Sequence, residues 1–434
     1  MSESVDEVAG GVGAAVLPSG AADRLPAACR RRRALKTRLL STFEAWGYEP
    51  VATPAVEYFD VLARGLSETD RRGCVRFIAA GSGELVTLRA DVTPQIARLV
   101  AQRWGGELAV DVVHRFSYAA EVLRNPTPER TQAEVHQVGV ELLGDGDPAA
   151  DAELVALADE SLRAVGLREY RLDLAHVRVA RGLLEALDLP APLEAEAKAL
   201  LARKDRGGLT TLLEPLDRSP VLREATVALC DLFGPLPTLL PRAEQALAGT
   251  GVDEALALLR AVLEHLERWG GDVLGRLSVD LGEARGFDYY SGLRIRGWAR
   301  GVRHPVVRGG RYDGLPGRYG VPQPATGLAV DLAAVEQALT VAGLGVPGAE
   351  LPDAHLVALA PGVRDASSRA LAQARAREAQ AQGRRAWVQP EIDLARAKQL
   401  ARGAGATRLT FVDEGGPTRW SQGPQGWTAM EETT

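Results

Sequence analysis

Residues 134–144, EVHQVGVELLG, show the alternating pattern of a β-strand with two different faces. Successive side chains of a strand point to opposite sides. One side is apolar and consists of Val138, Val140 and Leu142. The other side carries Gln137 and Glu141 on either side of Gly139. We expect the apolar side to pack on the core. The polar side is either an ordinary solvent-exposed face or the floor of a pocket for a small polar ligand.

The flanking sequence extends this strand into an antiparallel sheet. Residues 108–125 have the pattern of a second strand, and the short polar loop 125–131 favours antiparallel pairing with the first. Strand patterns return over 275–298, and 326–339 is predicted to be a helix. Between them, 176–270 carries Leu, Ala, Glu and Arg at helical spacing, which predicts a helical insertion. The sequence therefore predicts an α+β fold with an antiparallel sheet flanked by helices.

Composition divides the chain into segments. Residues 1–25 are predicted to be a disordered tail, and 26–345 a core that includes the helical insertion. A linker is predicted over the Gly- and Pro-rich residues 341–354. Strand and helix patterns alternate over 352–415, which predicts a small α/β domain. Residues 416–434 are predicted to be a loosely structured tail.

The overall composition fits a soluble globular protein and excludes several classes. The net charge of −6 does not favour nucleic acid as a partner. The three cysteines form no CxxC pair and the histidines show no metal-binding spacing, so no metal site is expected. The acidic N-terminus lacks the basic region of a secretory signal, and no apolar run reaches the ~18 residues of a membrane span. We expect a cytoplasmic protein that does not act at a membrane.

The stretch ARGFDYYSG, residues 284–292, combines an arginine with two phenols. Arg285 can hold a carboxylate or phosphate through a bidentate contact. Tyr289 and Tyr290 are predicted to point to opposite faces of a strand, so that only one of them lines a pocket. The alternative is a hairpin stabilised by aromatic cross-strand pairing.

Two shorter stretches carry further candidates. In LRADVTPQ, residues 88–95, Asp91 and Thr93 can hold an ammonium group, or they can cap the helix that follows. In RGGRYDGL, residues 308–315, Gly309 and Gly310 allow close approach of a ligand to the backbone, or they form a simple turn.

Together these motifs resemble the catalytic core of histidyl-tRNA synthetases, a class II aminoacyl-tRNA synthetase fold. The resemblance covers about residues 26–340. ARGFDYYSG and RGGRYDGL resemble the two histidine-specific signatures of that family, and Pro54 resembles the proline of class II motif 1. Residues 120–144 resemble motif 2 and the strand after it, which places Arg124 at the position that grips the ATP phosphates.

The resemblance implies a role for each matching residue. The positions that hold the amino group of histidine correspond to Asp91, Thr93 and Gln137. Arg285 matches the arginine that holds the carboxylate and activates aminoacyl transfer. Glu141 and Tyr290 match the residues that read the imidazole. No cofactor is implied.

The sequence also departs from the synthetase pattern. Motif 3 ends in an arginine that engages ATP, whereas Ala334 stands at that position here. Without that charge the triphosphate loses a stabilising contact, so we expect weak adenylating activity or none. The motif 2 loop is proline-rich with Arg130 as its one basic side chain, and Asp91 is shorter than the usual glutamate. The C-terminal domain is shorter than the family's anticodon-binding domain.

A retained histidine pocket with a damaged ATP site resembles the synthetase paralogue that serves as the regulatory subunit of ATP phosphoribosyltransferase. LRADVTPQIAR and ATGLAVDL resemble that paralogue more than the synthetase. The resemblance implies a chain without catalysis of its own in histidine biosynthesis. Its partner is the short-form catalytic subunit, which it activates, and its effector is L-histidine. Because class II cores dimerise through motif 1, a homodimer within a hetero-oligomer is expected.

Two alternatives remain open at this point. The first is an active histidyl-tRNA synthetase with a divergent motif 3, favoured by Arg124, Arg285 and the basic C-terminal domain, which has ten basic and four acidic side chains between Arg364 and Arg408. The second is an RNA-binding or signalling module built on an inactive synthetase, and the net acidity of the chain argues against it.

Overall fold

The computed structural model describes residues 17–104, 112–126, 133–270, 272–284 and 289–430. The chain divides into two units, Met1–Gly348 and Ala349–Thr434. The boundary falls within the stretch predicted as a linker. Within the described ranges, no helix is both long enough and apolar enough to cross a membrane.

Helices and strands alternate along the first unit. Its α-helices are α1 (Pro26–Ala45), α2 (Phe59–Leu62), α3 (Glu68–Arg72), α4 (Thr93–Trp104), α5 (Pro148–Ala164), α6 (Val177–Leu187), α7 (Ala191–Arg203), α8 (Arg206–Leu213), α9 (Pro220–Ala228), α10 (Leu236–Ala246), α11 (Asp253–Trp269), α12 (Gly314–Gly317) and α13 (Leu332–Val341). Its strands are β1 (Glu49–Pro50), β2 (Val56–Tyr58), β3 (Arg76–Ile78), β4 (Leu85–Leu88), β5 (His114–Leu123), β6 (Glu134–Leu143), β7 (Tyr170–His176), β8 (Phe233–Gly234), β9 (Leu277–Asp280), β10 (Leu293–Ala299), β11 (Val307–Arg311) and β12 (Ala325–Asp331). Two short 3₁₀ helices cover Ala63–Gly65 and Asp272–Arg276.

Nine of these strands form one sheet in the order β1-β5-β6-β12-β11-β10-β7-β9-β8. Neighbouring strands are antiparallel from β5 across to β7, and parallel pairs lie at β1–β5 and β7–β9. Strands β2, β4 and β3 form a separate small sheet. The predicted α+β fold, a mainly antiparallel sheet flanked by helices, is confirmed.

Strands β5 and β6 separate two helical layers. On one face, Tyr118 and Val122 pack with Ile96 and Val100 of α4 in a buried cluster. On the other face, the predicted apolar residues of β6 are buried, namely Val138, Val140 and Leu142. Helix α1 contacts both strands and buries Leu35, Leu39 and Phe43 completely. The polar face of β6 is therefore covered by α4 and is not an ordinary solvent-exposed face.

The block between β7 and the 3₁₀ helix at Asp272–Arg276 contains the six helices α6 to α11, and β8 adds a two-residue strand. Helix α11 buries one stripe of apolar side chains, which includes Leu259, Leu263 and Leu266. Spacing of three and four residues places these side chains on one face.

The prediction of a helix over 326–339 is wrong for its first part. Residues Ala325–Asp331 form β12, and α13 begins at Leu332. The Asp331 side chain accepts hydrogen bonds from the backbone N–H groups of Ala333 and Ala334, so it caps the helix and fixes the boundary. The apolar run is buried in the centre of the sheet, where strand and helix patterns look alike.

The second unit contains α14 (Ala366–Ala381) and α15 (Leu394–Gly403) with strands β13 (Ala354–Leu359), β14 (Arg385–Gln389), β15 (Ala406–Asp413), β16 (Gly416–Gly423) and β17 (Gly426–Met430). The strand order is β14-β13-β15-β16-β17. The prediction of a loose tail from residue 416 is wrong for 416–430, because β16 and β17 continue the sheet as antiparallel hairpins. Trp420 and Trp427 pack on the core of this unit and anchor the two strands.

The predicted N-terminal tail is described only in part. Residues 17–25 contain no helix or strand, and the Gly20 carbonyl accepts a hydrogen bond from the Ala133 N–H at 3.2 Å. Residues 1–16 lie outside the described part of the chain.

Candidate functional site

A cavity of about 270 Å³ lies over the polar face of β6. Its walls come from the loop and helix around Ser67 and Asp70, the start of α4, strands β5, β11 and β12, and the segment 289–290. Five of the residues predicted to bind histidine or phosphate line it: Asp91, Thr93, Arg124, Gln137 and Tyr290. These residues are scattered over about half of the sequence, and the sheet brings them together.

Glu141 lies beneath this cavity and is 1% exposed. Its Oε1 accepts a hydrogen bond from Thr93 Oγ1 at 2.5 Å, and its Oε2 accepts one from the Tyr312 hydroxyl. Burial raises the pKa of Glu141 to about 8, against the two hydrogen bonds that favour the charged form. A carboxyl in this position can form a charge-assisted hydrogen bond with an imidazole and exchange a proton with it.

Glycines make room above the carboxylate. Gly139 lies opposite Tyr118 on β5, and a Cβ at residue 139 would lie 2.6 Å from the Tyr118 hydroxyl. Gly327 lies opposite Glu141 on β12, where a Cβ would collide with the carboxylate and with the Tyr312 hydroxyl. Gly309 of β11 also lines the cavity.

Arg124 forms an ion-pair network with two carboxylates at one end of the cavity. Its Nη1 lies 3.2 Å from Asp70 Oδ1, and its Nη2 lies 3.1 Å from Asp91 Oδ2. Its Nε donates to the Ala90 carbonyl at 2.7 Å. Burial raises the pKa of Asp91, and the adjacent guanidinium of Arg124 opposes that shift. The arginine predicted to grip phosphate is thus compensated by two carboxylates.

Gln137 contributes an unused acceptor. Its Oε1 is buried and has no hydrogen-bond partner. Buried amide oxygens are normally paired, so an empty acceptor that lines a cavity indicates a place for a ligand donor. An ammonium group with Gln137, Asp91 and Thr93 around it would meet one amide oxygen, one carboxylate and one hydroxyl.

The prediction that only one of Tyr289 and Tyr290 lines the pocket is wrong, because both do. The segment lies before β10 and is not a strand, so strand alternation does not apply. The two rings meet edge to face with centroids 5.0 Å apart. Arg294 lies over the Tyr290 ring at 5.6 Å, and Arg181 donates to the Tyr290 carbonyl at 2.9 Å, so the segment is held in place from both sides.

Arg285, predicted to hold the carboxylate of histidine, lies outside the described residues, and so does Arg130 of the motif 2 loop. Ala334 is buried at the start of α13 and offers no charge to a phosphate.

Sequence reasoning missed four residues that complete the site: Asp70, Tyr118, Arg308 and Tyr312. Tyr312 could have been found from the sequence, because it lies within the quoted motif RGGRYDGL, at an even spacing of four residues from Arg308. Tyr118 pairs with Gly139 across the two strands, so the register of the hairpin identifies it as a residue of the same face. No local pattern indicates Asp70, whose role arises from a contact with Arg124 across a distant part of the chain.

Fold and cavity together define a protein of the class II synthetase architecture, and the histidyl-tRNA synthetase family model matches residues 20–335. A solved structure described as an ATP phosphoribosyltransferase regulatory subunit/histidyl-tRNA synthetase from Bacillus halodurans has the same fold, with a TM-score of 0.76, 24% identity, and coverage of 92% of this chain and 97% of the other.

Two relatives are named ATP phosphoribosyltransferase regulatory subunits. The one from Syntrophotalea carbinolica is 38% identical over 319 residues, which are 73% of each chain. The one from Anaeromyxobacter dehalogenans is 42% identical over 325 residues, which are 74% of this chain and 91% of the relative. The chain belongs to the family of ATP phosphoribosyltransferase regulatory subunits, and the resemblance drawn from its motifs is confirmed.

Proposed function

We propose that the chain is a non-catalytic subunit that binds L-histidine in the cavity over β6 and conveys feedback to a short-form ATP phosphoribosyltransferase catalytic subunit, which it also activates. The observation that carries this proposal is the contrast within one cavity. Among the described residues, Asp91, Thr93, Gln137 and Glu141 keep groups suited to histidine, whereas Arg124 is compensated by two carboxylates and Ala334 supplies no charge for ATP.

The residues proposed to bind histidine are chemically complementary to its ammonium, imidazole and carboxylate groups. The free Oε1 of Gln137 and the carboxylate of Asp91 suit an α-ammonium group, and Glu141, which is buried beneath the cavity and is not part of its lining, suits the imidazole. Tyr118 and Tyr312 are buried beside the carboxyl, and the partly buried Tyr289 packs against them; the resulting low-polarity environment strengthens each polar contact. We place the histidine carboxylate toward Arg285, as the family resemblance implies.

The residues that would hold the ATP phosphates are deficient in two respects. Arg124 already contacts Asp70 and Asp91, and those carboxylates would repel a triphosphate. Ala334 supplies no second cation. A site of this kind can bind the amino acid but has little to stabilise the charge of an adenylating reaction.

The direct test measures the catalytic subunit with this chain added. We expect its ATP phosphoribosyltransferase activity to rise on addition of the chain and to fall again with L-histidine. Gln137→Ala should keep the activation and lose most of the histidine effect, because it removes a ligand contact on the cavity wall and leaves the surface intact. The proposal would be refuted if the activity of the catalytic subunit changed neither on addition of the chain nor on addition of histidine.

Histidine–tRNA ligase activity is the second candidate, because Arg124 is present and the synthetase family model covers most of the chain. Histidine-dependent ATP–pyrophosphate exchange separates the two functions. We expect no exchange from protein that binds histidine by calorimetry; exchange well above background would favour the ligase.

We also propose that the chain forms a homodimer through the small sheet. One face of this sheet exposes an apolar patch that consists of Val56, Tyr58 and Phe77, each 42–52% exposed. Contiguous apolar patches commonly mark interfaces. The patch begins two residues after Pro54, the motif 1 position through which class II cores pair, so a second copy of this chain is the occupant we propose.

A further inference from the structure

A second cleft, of about 560 Å³, lies between the first half of α1 and the hairpin β5–β6. His136 and Val138 line it, whereas Tyr118 lines the histidine cavity. Because Val138 pairs with Ala119 and alternates with Gly139, these two residues lie on the opposite face of the hairpin from that cavity, whereas Gln137 lines both the cleft and the cavity. The cationic side chains of the cleft do not line the histidine cavity.

The cleft is strongly basic within an acidic chain. Its lining includes five cationic side chains: Arg24, Arg32, Arg33, Lys36 and Arg89. The one carboxylate in the lining, Glu121, lies 3.0 Å from His136 Nδ1. Arg89 is fixed by donation to the carbonyls of Glu121 and Thr53, each at 2.9 Å. The positive charge is concentrated here although the net charge of the chain is −6.

Arg32 is the central feature of the cleft. It is 8% exposed, and none of its three guanidinium nitrogens has a hydrogen-bond partner. Its ion pair with Glu336 is long, with 3.7 Å between Nη2 and Oε2. A buried cation without hydrogen bonds is costly, and a bound anion would supply the missing acceptors. The planar guanidinium matches the paired oxygens of a phosphate.

The size of the cleft and its remaining walls limit the class of ligand that it can bind. Ala119, Ala120, Val138 and Leu332 give the cleft an apolar side. Among the described residues that line it, His136 carries the one aromatic ring, so the cleft offers little of the stacking surface on which single-stranded nucleic acids bind. Five cations exceed what one phosphate group would neutralise.

We propose that this cleft binds the pyrophosphate group of a small phosphorylated molecule, with Arg32 as the central donor and Arg33 and Lys36 at the rim. The same chemistry can come from free pyrophosphate, a nucleoside triphosphate or a sugar pyrophosphate, so the test must separate these sources.

The experiment is calorimetric titration of the full chain with inorganic pyrophosphate at low salt. We expect saturable binding that Arg32→Gln weakens at least tenfold. The double variant Arg33→Gln/Lys36→Gln changes only exposed side chains and should weaken binding similarly, so the test stands even if Arg32→Gln disturbs folding. Arg38→Gln alters an exposed arginine of α1 outside the cleft and should bind as the unmodified chain does.

Parallel titrations with ATP, phosphoribosyl pyrophosphate and orthophosphate identify the source. Tighter binding of one organic ligand than of pyrophosphate assigns the apolar side to its sugar or base, and equal binding assigns the whole site to pyrophosphate. Histidine affinity should be unchanged in every variant. The proposal is overturned if pyrophosphate does not bind, if the variants bind it normally, or if the cleft variants lose only RNA binding.

Discussion

The Tyr312 hydroxyl donates a hydrogen bond to Glu141 Oε2, although 171 residues separate the two in sequence. Thr93 holds the other carboxylate oxygen, so the carboxyl group has one fixed orientation beneath the cavity. Burial raises the pKa of Glu141 to about 8, and the group therefore carries a proton at neutral pH while the cavity is empty. This proton is available to an imidazole that binds above it.

Histidine affinity should depend on pH because the carboxyl and the imidazole share one proton. A free imidazole has a pKa of about 6.5. Between pH 6.5 and 8 binding should neither take up nor release a proton, and affinity should be highest. One unit above pH 8 it should be about tenfold weaker, because Glu141 has lost the shared proton. Calorimetry from pH 5.5 to 9 measures this.

Glu141→Gln is the control for that profile. It should bind histidine about 10- to 100-fold more weakly, as expected for the loss of a charge-assisted hydrogen bond. The remaining pH dependence should be that of histidine itself. An unchanged profile in this variant would mean that Glu141 does not exchange a proton with the ligand.

The same carboxyl group should reduce stability as the pH rises. The pKa of Glu141 is about 8 in the folded chain, above the ordinary value of 4.5. Between these values the folded state keeps a proton that the unfolded state has lost, so unfolding becomes easier with rising pH. Glu141→Gln should therefore gain stability relative to the unmodified chain between pH 5 and 8. Urea unfolding at several pH values tests this, and a constant difference would contradict it.

Gly139→Ala should damage the cavity. Its Cβ would lie 2.6 Å from the Tyr118 hydroxyl, and a backbone carbonyl on β12 is also too close. We expect a loss of about 1–3 kcal/mol of stability from overpacking, together with weaker histidine binding as Tyr118 is displaced. Gly275→Ala is the matched control, because nothing lies within 4 Å of its added Cβ. Thermal unfolding and calorimetry with histidine would show the difference; equal behaviour of the two variants would count against this packing.

Arg124→Gln should leave Asp70 and Asp91 without their shared cation. We expect a loss of about 3 kcal/mol at neutral pH and a smaller loss as the pH falls, because burial raises the pKa of Asp91 and a protonated carboxyl needs no cation. The double variant Arg124→Gln/Asp91→Asn should recover most of this loss, since one carboxylate is gone. Urea unfolding of the four proteins of this cycle gives the coupling energy. Arg103→Gln, an exposed arginine of α4, is the control, and additive effects would argue against the network.

Tyr58→Lys should dissociate the proposed homodimer. Tyr58 is 52% exposed in the apolar patch, and a charge there would be buried at the interface. Light scattering after size exclusion should report half the mass at micromolar protein. Val221→Lys changes an exposed apolar residue on α9 and should keep the mass unchanged. A monomeric unmodified chain would refute the dimer directly.

Local patterns predicted the parts of this site that depend on local geometry. Strand alternation placed Gln137, Gly139 and Glu141 on one face, and helix signals located the start of α4. Patterns failed where the chain leaves regular structure, as at Tyr289, or where an apolar run is buried on all sides, as in β12. They also gave no warning of the contact between Arg124 and Asp70, because no local spacing encodes an ion pair between remote segments.

The ion pairs of Arg124 with Asp70 and Asp91 have an evolutionary consequence. Restoring an arginine at residue 334 would not by itself recreate a triphosphate site, because Arg124 would remain compensated by Asp70 and Asp91. Substituting Arg124 in order to remove these ion pairs would leave two partly buried carboxylates without a compensating cation. Under the proposed function, gaining synthetase chemistry would require several coordinated substitutions, each unfavourable alone. The ion-pair network would make the proposed loss of ATP chemistry hard to reverse by single mutations.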